Sequence, residues 1–592
     1  MKPRYHLLAL VAVAACLFFI GLGRLPLTEP DEGRNAEVAR EMLVLHDWIT
    51  PHYDTLPYLD KPAVFFWLVA GSFRLLGMSE AAARMPSALA ALGTVLLIWL
   101  VGRRMFGERT AWTAGVIFAT SPLVMIFARV VVFDMTLAFL VTLTLAAFWL
   151  SATAERPRRG LDCLMFVAAG IATITKGPVG FLLPLLTLLV YAAVQRKFKD
   201  LRRLAWPPGI LLFLAASLPW FIAVSVRNPG FPRYAFWDES VLRFATGHAH
   251  RGGSVFYYIP VFLVGFLPWS FPLLFAGINR ARGWKRLREA SAAPRAFLLA
   301  WAATTFVFFS ISHSKLPAYF LPALPALALL LADVWCRDVK ADAPGRRPDW
   351  LTAGFAVLIA LGILVAATPA WLETPALHRT AVRKIHPAVL ETLPSAIFFT
   401  GLIMAALGIL GRNLVARSRG RIYTAGTFAI FAFTVPLLIV RWWEPIQTYA
   451  GTSSTERLAA AIARGTERDL PVYGYYYFRT GLPFYLRRPV GLVTSGGSEL
   501  TSNYIAAHWP AIGEGAAWQG SSSDRSPAPL FLNGNGFAAL GRASPRPFLV
   551  IVQNNEVPEL AKHEAEFQPL WDAWLYSVWE VSGPPGESVS IP

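Results

Sequence analysis

The chain has 592 residues, of which 55% are hydrophobic and 15% are charged, and its mean hydropathy is +0.47. These values are typical of a polytopic membrane protein and exclude an ordinary soluble domain. The formal net charge of +17 would suit a nucleic-acid-binding protein, but the placement of the basic residues excludes nucleic acid as a partner, as the loops below show.

Thirteen apolar segments of spanning or near-spanning length are predicted between residues 6 and 440. In chain order they are 6–23, 81–102, 110–128, 132–152, 160–175, 177–194, 207–226, 256–277, 295–311, 317–335, 350–368, 393–411 and 422–440. The first follows Lys2 and Arg4 and lacks an Ala-x-Ala cleavage pattern. We therefore expect an uncleaved first helix and an inward N-terminus.

Lysine and arginine cluster on alternate loops between these segments. The clusters lie at 103–109, 156–159, 196–203, 280–295, 337–347 and 412–421. This alternation follows the positive-inside rule and predicts cytoplasmic loops in contact with anionic membrane lipids. With thirteen spans, the C-terminus is then expected on the outer face.

The first outward segment, residues 24–80, is too long for a simple turn. Pro30 favours a helix start with Asp31 and Glu32 in its first turn, and the apolar positions that follow predict a helix in the plane of the membrane interface. A second short apolar helix is predicted over 62–76. Ionisable residues against a bilayer are costly unless they are paired or functional, so the acids of this segment mark a candidate site.

The tail from residue 441 to residue 592 differs in composition because it lacks a spanning segment and is richer in Gly, Ser, Pro and Asn. Short apolar runs at 471–475 and 547–552 predict buried strands, and 452–464 predicts a helix. Residues 518–545 are expected to form a loop. The tail is therefore predicted to be one small α/β domain.

Several short motifs occur in a fixed order on the predicted outward ends. They are Glu29–Glu32, Tyr58–Pro62, Phe133–Met135, Thr175–Pro178, Asn228–Pro229 and Ser314–Pro322. Together they resemble the bacterial 4-amino-4-deoxy-L-arabinose lipid A transferase family, which uses sugars linked to undecaprenyl phosphate. This family is of the GT-C type and is related to protein O-mannosyltransferases. The resemblance covers nearly the whole chain.

The resemblance implies an all-α polytopic membrane domain of the GT-C glycosyltransferase type, with about 13 transmembrane helices. Outward interfacial helices and a C-terminal α/β periplasmic domain complete the expected fold. We place the transmembrane domain at 1–440, with outward loops at 24–80 and 227–257, and the periplasmic domain at 441–592.

The activity that the resemblance implies is transfer of 4-amino-4-deoxy-L-arabinose, or a related amino sugar, from undecaprenyl phosphate to an acceptor at the periplasmic face. The expected acceptor is a lipid A phosphate or another lipid-linked acceptor. The expected location is the bacterial inner membrane, with the active site facing the periplasm. A protein O-mannosyltransferase-like enzyme and a polytopic lipid or sugar transporter stay open as alternatives.

Two acids are the candidate catalytic residues. Asp31 is expected to orient the acceptor or remove its proton; the alternative is that it only complements a helix N-terminus. Asp134, at the outer start of the fourth span, is expected to contact the sugar or a basic partner; the alternative is a structural ion pair with Arg129.

The candidate substrate-binding residues are cations, tyrosines and two further acids. Lys61, Lys176 and Lys315 lie at outward helix ends and would form a cation clamp on the phosphate; the alternative is that each extends to the interface. The full predicted set is Glu32, Tyr58, Asp60, Lys61, Lys176, Arg243, Lys315 and Tyr319. For the tyrosines, an aromatic belt is the alternative.

No cofactor is predicted to be required, and no metal ligands are assigned. His248 and His250, with one residue between them and no nearby cysteine, are a weak zinc signal. A bound divalent metal therefore stays open as an alternative.

Overall fold

The computed structural model describes residues 3–156, 158–242, 253–280, 287–340, 349–372, 374, 385–417, 421–464, 470–512, 530–544, 546–563 and 565–582. The chain folds into two compact units. The first comprises residues 1–24 and 81–448, and the second comprises 25–80 and 449–592. This division differs from the expected one because residues 25–80 belong with the tail.

The chain up to residue 453 is predominantly helical. Its helices are α1 (Pro3–Phe19), α2 (Asp31–Val44), α3 (Val64–Leu76), α4 (Glu80–Phe106), α5 (Glu108–Ala119), α6 (Pro122–Phe127), α7 (Asp134–Ala152), α8 (Arg159–Lys176), α9 (Val179–Gln195), α10 (Pro207–Arg227), α11 (Tyr258–Gly265), α12 (Ser270–Arg280), α13 (Ala293–Ile311), α14 (Leu324–Lys340), α15 (Asp349–Leu372), α16 (Pro387–Arg417), α17 (Arg421–Arg441) and α18 (Trp443–Ser453). A short hairpin of β1 (His52–Tyr53) and β2 (Leu56–Pro57) separates α2 from α3.

Each of the thirteen predicted apolar segments coincides with one of these helices or with a helix pair. Within the described ranges, seven helices are long and apolar enough to cross a membrane, or up to nine if two bent pairs each count as one span. The pair Val255–Gly265 and Ser270–Ile278 is bent by 114°. The other predicted segments are shorter helices, such as α1 and α9 with 17 residues each. The chain is thus a polytopic membrane protein.

Helices α7 and α8 form a hairpin within the first unit. Gly177 ends α8 with φ of 85°, a conformation that favours glycine. Gly180 then lets α9 fold back, because an added Cβ there would lie 2.3 Å from the carbonyl carbon of Ala172. Two glycines therefore place Lys176, the last residue of α8, at a sharp turn.

Helix α2 lies in the interior of the second unit, and its expected position in the plane of the membrane interface stays a prediction. Its residues from Glu32 to Met42 are all buried. The charged side chains are tolerated there because they are paired, for example Arg40, which donates two bonds of 2.6 Å to Glu37. Helix α3 was predicted as a second short helix and is confirmed; Leu75 is 84% exposed on it.

The tail contains a six-stranded sheet. Its strands are β3 (Val472–Tyr475), β4 (Gly491–Val493), β5 (Phe531–Leu532), β6 (Phe548–Gln553), β7 (Glu566–Asp572) and β8 (Tyr576–Ser582). The spatial order is β5-β4-β3-β6-β8-β7, with parallel pairing from β5 to β6 and antiparallel pairing beyond. The two predicted strands, now β3 and β6, lie side by side at the centre. The predicted α/β fold of the tail is confirmed.

The helices of the tail are α19 (Glu456–Arg464), α20 (Leu482–Leu486), α21 (Asn503–Ile512), α22 (Gly534–Ala543) and α23 (Val557–Leu560). The expected loop over 518–545 is wrong where the structure describes it, since β5 and α22 lie there. Asn533 explains the difference: its side chain accepts a bond of 2.8 Å from the amide of Gly536 and so caps α22.

One ion pair and one helix cap explain why residues 25–80 fold with the tail. Glu29 pairs with Arg479 at 2.9 Å. Asp60 accepts bonds from the backbone amides of Asn503 and Tyr504, at 3.1 and 2.8 Å. Such long-range contacts between short polar motifs are invisible in a hydropathy pattern.

Candidate active site

The first unit brings Asp134, Lys176 and Tyr319 together. Asp134 begins α7 and Lys176 ends the antiparallel α8, so an acid at a helix N-terminus meets a cation at a helix C-terminus. The Lys176 ammonium donates to Asp134 Oδ1. The same nitrogen lies 4.4 Å from the centre of the Tyr319 ring. In this cluster, the Asp134–Lys176–Tyr319 triad, the Asp134 and Lys176 side chains are only 12% and 13% exposed.

The alternative ion pair of Asp134 with Arg129 is wrong. Arg129 donates instead to the carbonyl oxygens of Leu17 and Ile20, at 2.9 and 2.7 Å. Those carbonyls belong to the end of α1, where backbone acceptors lack helical partners. Arg129 is thus a capping residue for α1.

Lys315 lies in the same unit, but its ammonium contacts backbone. It donates to the carbonyl oxygens of Phe309 and Ser310, at 3.3 and 2.8 Å, and to that of Ser312. Only 5% of the residue is exposed, and burial lowers the pKa of its ammonium. The Lys315 ammonium is therefore occupied by backbone carbonyls and is not open for the predicted phosphate clamp with Lys176.

In the second unit, Arg34 links Asp31 to Tyr58. Its guanidinium donates to Asp31 Oδ1 at 2.5 Å and lies 5.6 Å from the centre of the Tyr58 ring. It also donates to both the carbonyl and the hydroxyl of Thr501. Burial opposes the charge of Arg34, but Tyr58, Asp31 and Asp60 raise its pKa above the ordinary value. Arg34 was not among the predicted site residues, although its spacing of three residues from Asp31 on a helix indicates such a pair.

Asp31 differs from the other predicted acids of this unit because its side chain is 50% exposed. Glu32 is buried and accepts bonds from the backbone amide and the hydroxyl of Thr28. Asp60 caps the start of α21, as described above. Their predicted role in substrate binding stays a prediction, and Asp31 is the acid that a substrate could reach.

The remaining predicted residues have mixed outcomes. Lys61 is half-buried and donates to the carbonyl of Asp60 at 2.9 Å. Arg243, His248 and His250 lie outside the described residues. In the part of the chain that the structure describes, no group of three or more His, Cys, Asp or Glu side chains is arranged to hold a metal ion.

A buried acidic cluster in the same unit was not among the predicted features. Glu37, Glu41 and Asp54 share one cation, Arg40. Burial, together with the charge of Glu37, raises the pKa of Glu41 and of Asp54 well above their ordinary values. Glu41 accepts from the amide of Thr55 and Asp54 from the amide of Val490, so the cluster fastens α2 to the hairpin and to the tail.

Comparisons with known proteins give the family and the fold that the chain resembles. A family model described as dolichyl-phosphate-mannose-protein mannosyltransferase matches residues 60–222. The undecaprenyl phosphate-alpha-4-amino-4-deoxy-L-arabinose arabinosyl transferase of Edwardsiella ictaluri is 36% identical over 313 residues, or 52% of this chain and 55% of that protein. The chain thus matches little more than half of that relative's length.

Longer matches exist at similar identity. The protein of the same name from Pseudomonas fluorescens strain Pf-5 is 33% identical over 63% of this chain and 68% of its own length. The Enterobacter sp. relative is 28% identical over 88% and 85%. The crystal structure of ArnT from Cupriavidus metallidurans bound to undecaprenyl phosphate is 29% identical, with a TM-score of 0.79 over 99% of this chain and 100% of that one.

The helical membrane unit and the α/β tail, together with these matches, identify a polytopic glycosyltransferase of the GT-C class. Within that class, the chain belongs to the undecaprenyl phosphate-alpha-4-amino-4-deoxy-L-arabinose arabinosyl transferase family. The resemblance that the sequence motifs indicated is confirmed.

Proposed function

We propose that this protein transfers 4-amino-4-deoxy-L-arabinose from undecaprenyl phosphate to a phosphate of lipid A, at the periplasmic face of the bacterial inner membrane. The observation that carries the proposal is the Asp134–Lys176–Tyr319 triad, in a fold that matches a relative crystallised with undecaprenyl phosphate. The relatives' names supply the sugar.

The chemistry requires that the bond between the sugar C1 and the donor phosphate oxygen breaks while a bond from C1 to the acceptor oxygen forms. The departing undecaprenyl phosphate gains negative charge. Lys176 is the residue suited to bind that charge, since its ammonium is held by one carboxylate and one ring face and is shielded from bulk water. An arriving phosphate would compete with Asp134 for the ammonium.

Asp31 is the candidate for orienting the acceptor. Its carboxylate is held by Arg34 on one side and is half exposed on the other. A lipid A phosphate is already ionised at neutral pH, so orientation rather than proton removal is the expected contribution. For an acceptor hydroxyl, the same carboxylate could take the proton.

The test uses the purified full chain in liposomes with the undecaprenyl-phosphate-linked aminoarabinose and lipid A, and follows the mass of lipid A. A gain of one sugar residue in lipid A is expected. Lys176→Met should abolish most of the gain and weaken undecaprenyl phosphate binding by roughly 1.5–3 kcal/mol, the scale of a hydrogen bond to a charged group. An unchanged lipid A mass with active donor present would refute the proposal.

The mannosyltransferase description of the family model makes a protein acceptor the second candidate. Adding a membrane protein fraction to the same liposomes separates the two acceptors. Sugar label recovered on protein and absent from lipid A would favour this second candidate. A transporter would move donor across the bilayer and leave the sugar–phosphate bond intact.

A further inference from the structure

Lys315 follows the end of α13 and caps it. Phe309 and Ser310, whose carbonyls accept from Lys315 Nζ, lie in the last turn of that helix. The third acceptor is the carbonyl of Ser312, one residue beyond the helix. An ammonium has three N–H donors. Three backbone acceptors therefore use the whole donor capacity of this side chain.

The side chain is also packed against Gly253, which precedes α11. A Cβ built on Gly253 would lie 3.0 Å from Lys315 Cδ, so the glycine backbone packs directly against the lysine stem. Only 5% of the residue is exposed, so little of its surface is open to a lipid phosphate. Lys315 thus resembles a structural cation rather than an open binding group.

The backbone that Lys315 holds in place contacts Tyr319, a member of the triad. The Phe309 ring packs on the Tyr319 ring, with centres 5.1 Å apart. On the other side, the carbonyl of Leu316 accepts from the Tyr258 hydroxyl at 3.2 Å and from the Tyr319 amide at 3.1 Å. Phe309 and Leu316, which lie on either side of Lys315, therefore both orient the Tyr319 ring. That ring lies over the Lys176 ammonium.

We infer that Lys315 is a positioning residue for the transfer reaction: by capping α13 it fixes the Tyr319 ring that orients Lys176, and it does not itself bind the donor phosphate. This inference rests on the proposed function, because transfer is the readout. It departs from the prediction that Lys315 forms part of the phosphate clamp.

A double-mutant cycle tests it, with Lys315→Met and Tyr319→Ala measured singly and together as kcat per folded molecule. If Lys315 acts through Tyr319, each single change should lower kcat about tenfold and the double variant should fall no further, because residues in one contact chain are non-additive. A double variant about a hundredfold down would overturn the inference, since independent contacts multiply. Lys199→Met, at an exposed lysine of the same unit, is the matched control and should leave kcat near the wild-type value.

Amine labelling of the wild-type chain gives a test that needs no folded variant. The Lys315 amine should react slowly, and its rate should not change on adding undecaprenyl phosphate. Protection of Lys315 by that ligand would overturn the inference. If the wild-type chain shows no transfer at all, the proposed function fails, while the labelling result still decides whether Lys315 contacts the phosphate.

Discussion

Asp31 and Glu32 are neighbours in the chain with opposite surroundings. Glu32 is buried and accepts two bonds from Thr28, whereas half of the Asp31 side chain is exposed beside Arg34. A carboxylate that is anchored on one side and open on the other is suited to align a substrate. The two acids of one sequence motif thus have different surroundings, and only Asp31 is open to a substrate.

Replacing Asp31 by Asn tests that distinction. Asn keeps the size and caps a helix about as well as Asp, but it removes the charge. If Asp31 orients or deprotonates the acceptor, transfer in liposomes should fall roughly 10²–10⁴-fold, with protein level and undecaprenyl phosphate binding unchanged.

The matched control is Asp47→Asn, in the same unit, because Asp47 accepts bonds from the amides of Ile49 and Thr50 in its own loop. Its transfer rate should stay near that of the wild type. Turnover at the wild-type rate in Asp31→Asn would reject the role of Asp31 in transfer.

The buried acids predict a particular pH dependence of stability. Asp54 and Glu41 have raised pKa values in the folded chain, so the folded state keeps protons that the unfolded state releases from about pH 4 upward. The stability of the second unit should therefore be highest at acidic pH and fall as the pH rises through the folded pKa. Asp54→Asn imitates the protonated acid and should flatten this dependence.

Thermal unfolding of the full chain in detergent at pH 5 and pH 8 measures this pH dependence of stability. The melting temperature of the wild type should be lower at pH 8 than at pH 5, and the decrease should be smaller in Asp54→Asn. Asp572→Asn, at an exposed position of β7, is the control and should behave as the wild type does. Equal pH slopes in all three proteins would contradict the buried-proton explanation.

At the scale of elements, the α7–α8 hairpin and the return of α9 determine where the triad lies. Asp134 and Lys176 are 42 residues apart, and they meet because each ends a helix at the same side of the hairpin. The opposite ends are joined by Ser151, Asp162 and Arg203. The hairpin is thus pinned at both ends by polar contacts.

Two glycines give a sharp test of this geometry. Gly180→Ala should destabilise the chain by roughly 1–3 kcal/mol and lower transfer, because its Cβ would overlap the Ala172 carbonyl and overpacking costs that much. Gly160→Ala, in α8 with open space around its Cβ, should be neutral or stabilising by roughly 0.5–1 kcal/mol. Thermal unfolding and transfer assays on both variants measure the effect, and identical behaviour of the pair would argue against the close approach.

At the scale of the whole molecule, alternating basic loops predict an inward N-terminus and an outward tail. A reporter fused after Pro592 that is active only outside the cytoplasm should be active, and one that is active only inside should be silent. The same reporters placed in the basic loop 196–203 should give the reverse result. A tail reporter active only in the cytoplasm would refute this topology.

Local signals in the sequence determined much of this protein. Apolar length determines where helices cross a bilayer, so each predicted span coincides with a helix or helix pair. The motif Thr175–Pro178 also determined that Lys176 ends a helix, because Gly177 and Pro178 are strong local terminators. The two central strands of the tail followed from short apolar runs in the same way.

Only the tertiary structure decided which polar groups are paired and which are open. Lys176 and Lys315 look alike in sequence, yet one meets Asp134 and the other caps α13. Asp60 and Asp31 look alike too, yet Asp60 caps a helix more than 400 residues away. The physical reason is range: apolar burial and helix termination act over a few residues, whereas the partner of a buried charge is chosen by whichever distant backbone or side chain the fold brings within about 3 Å.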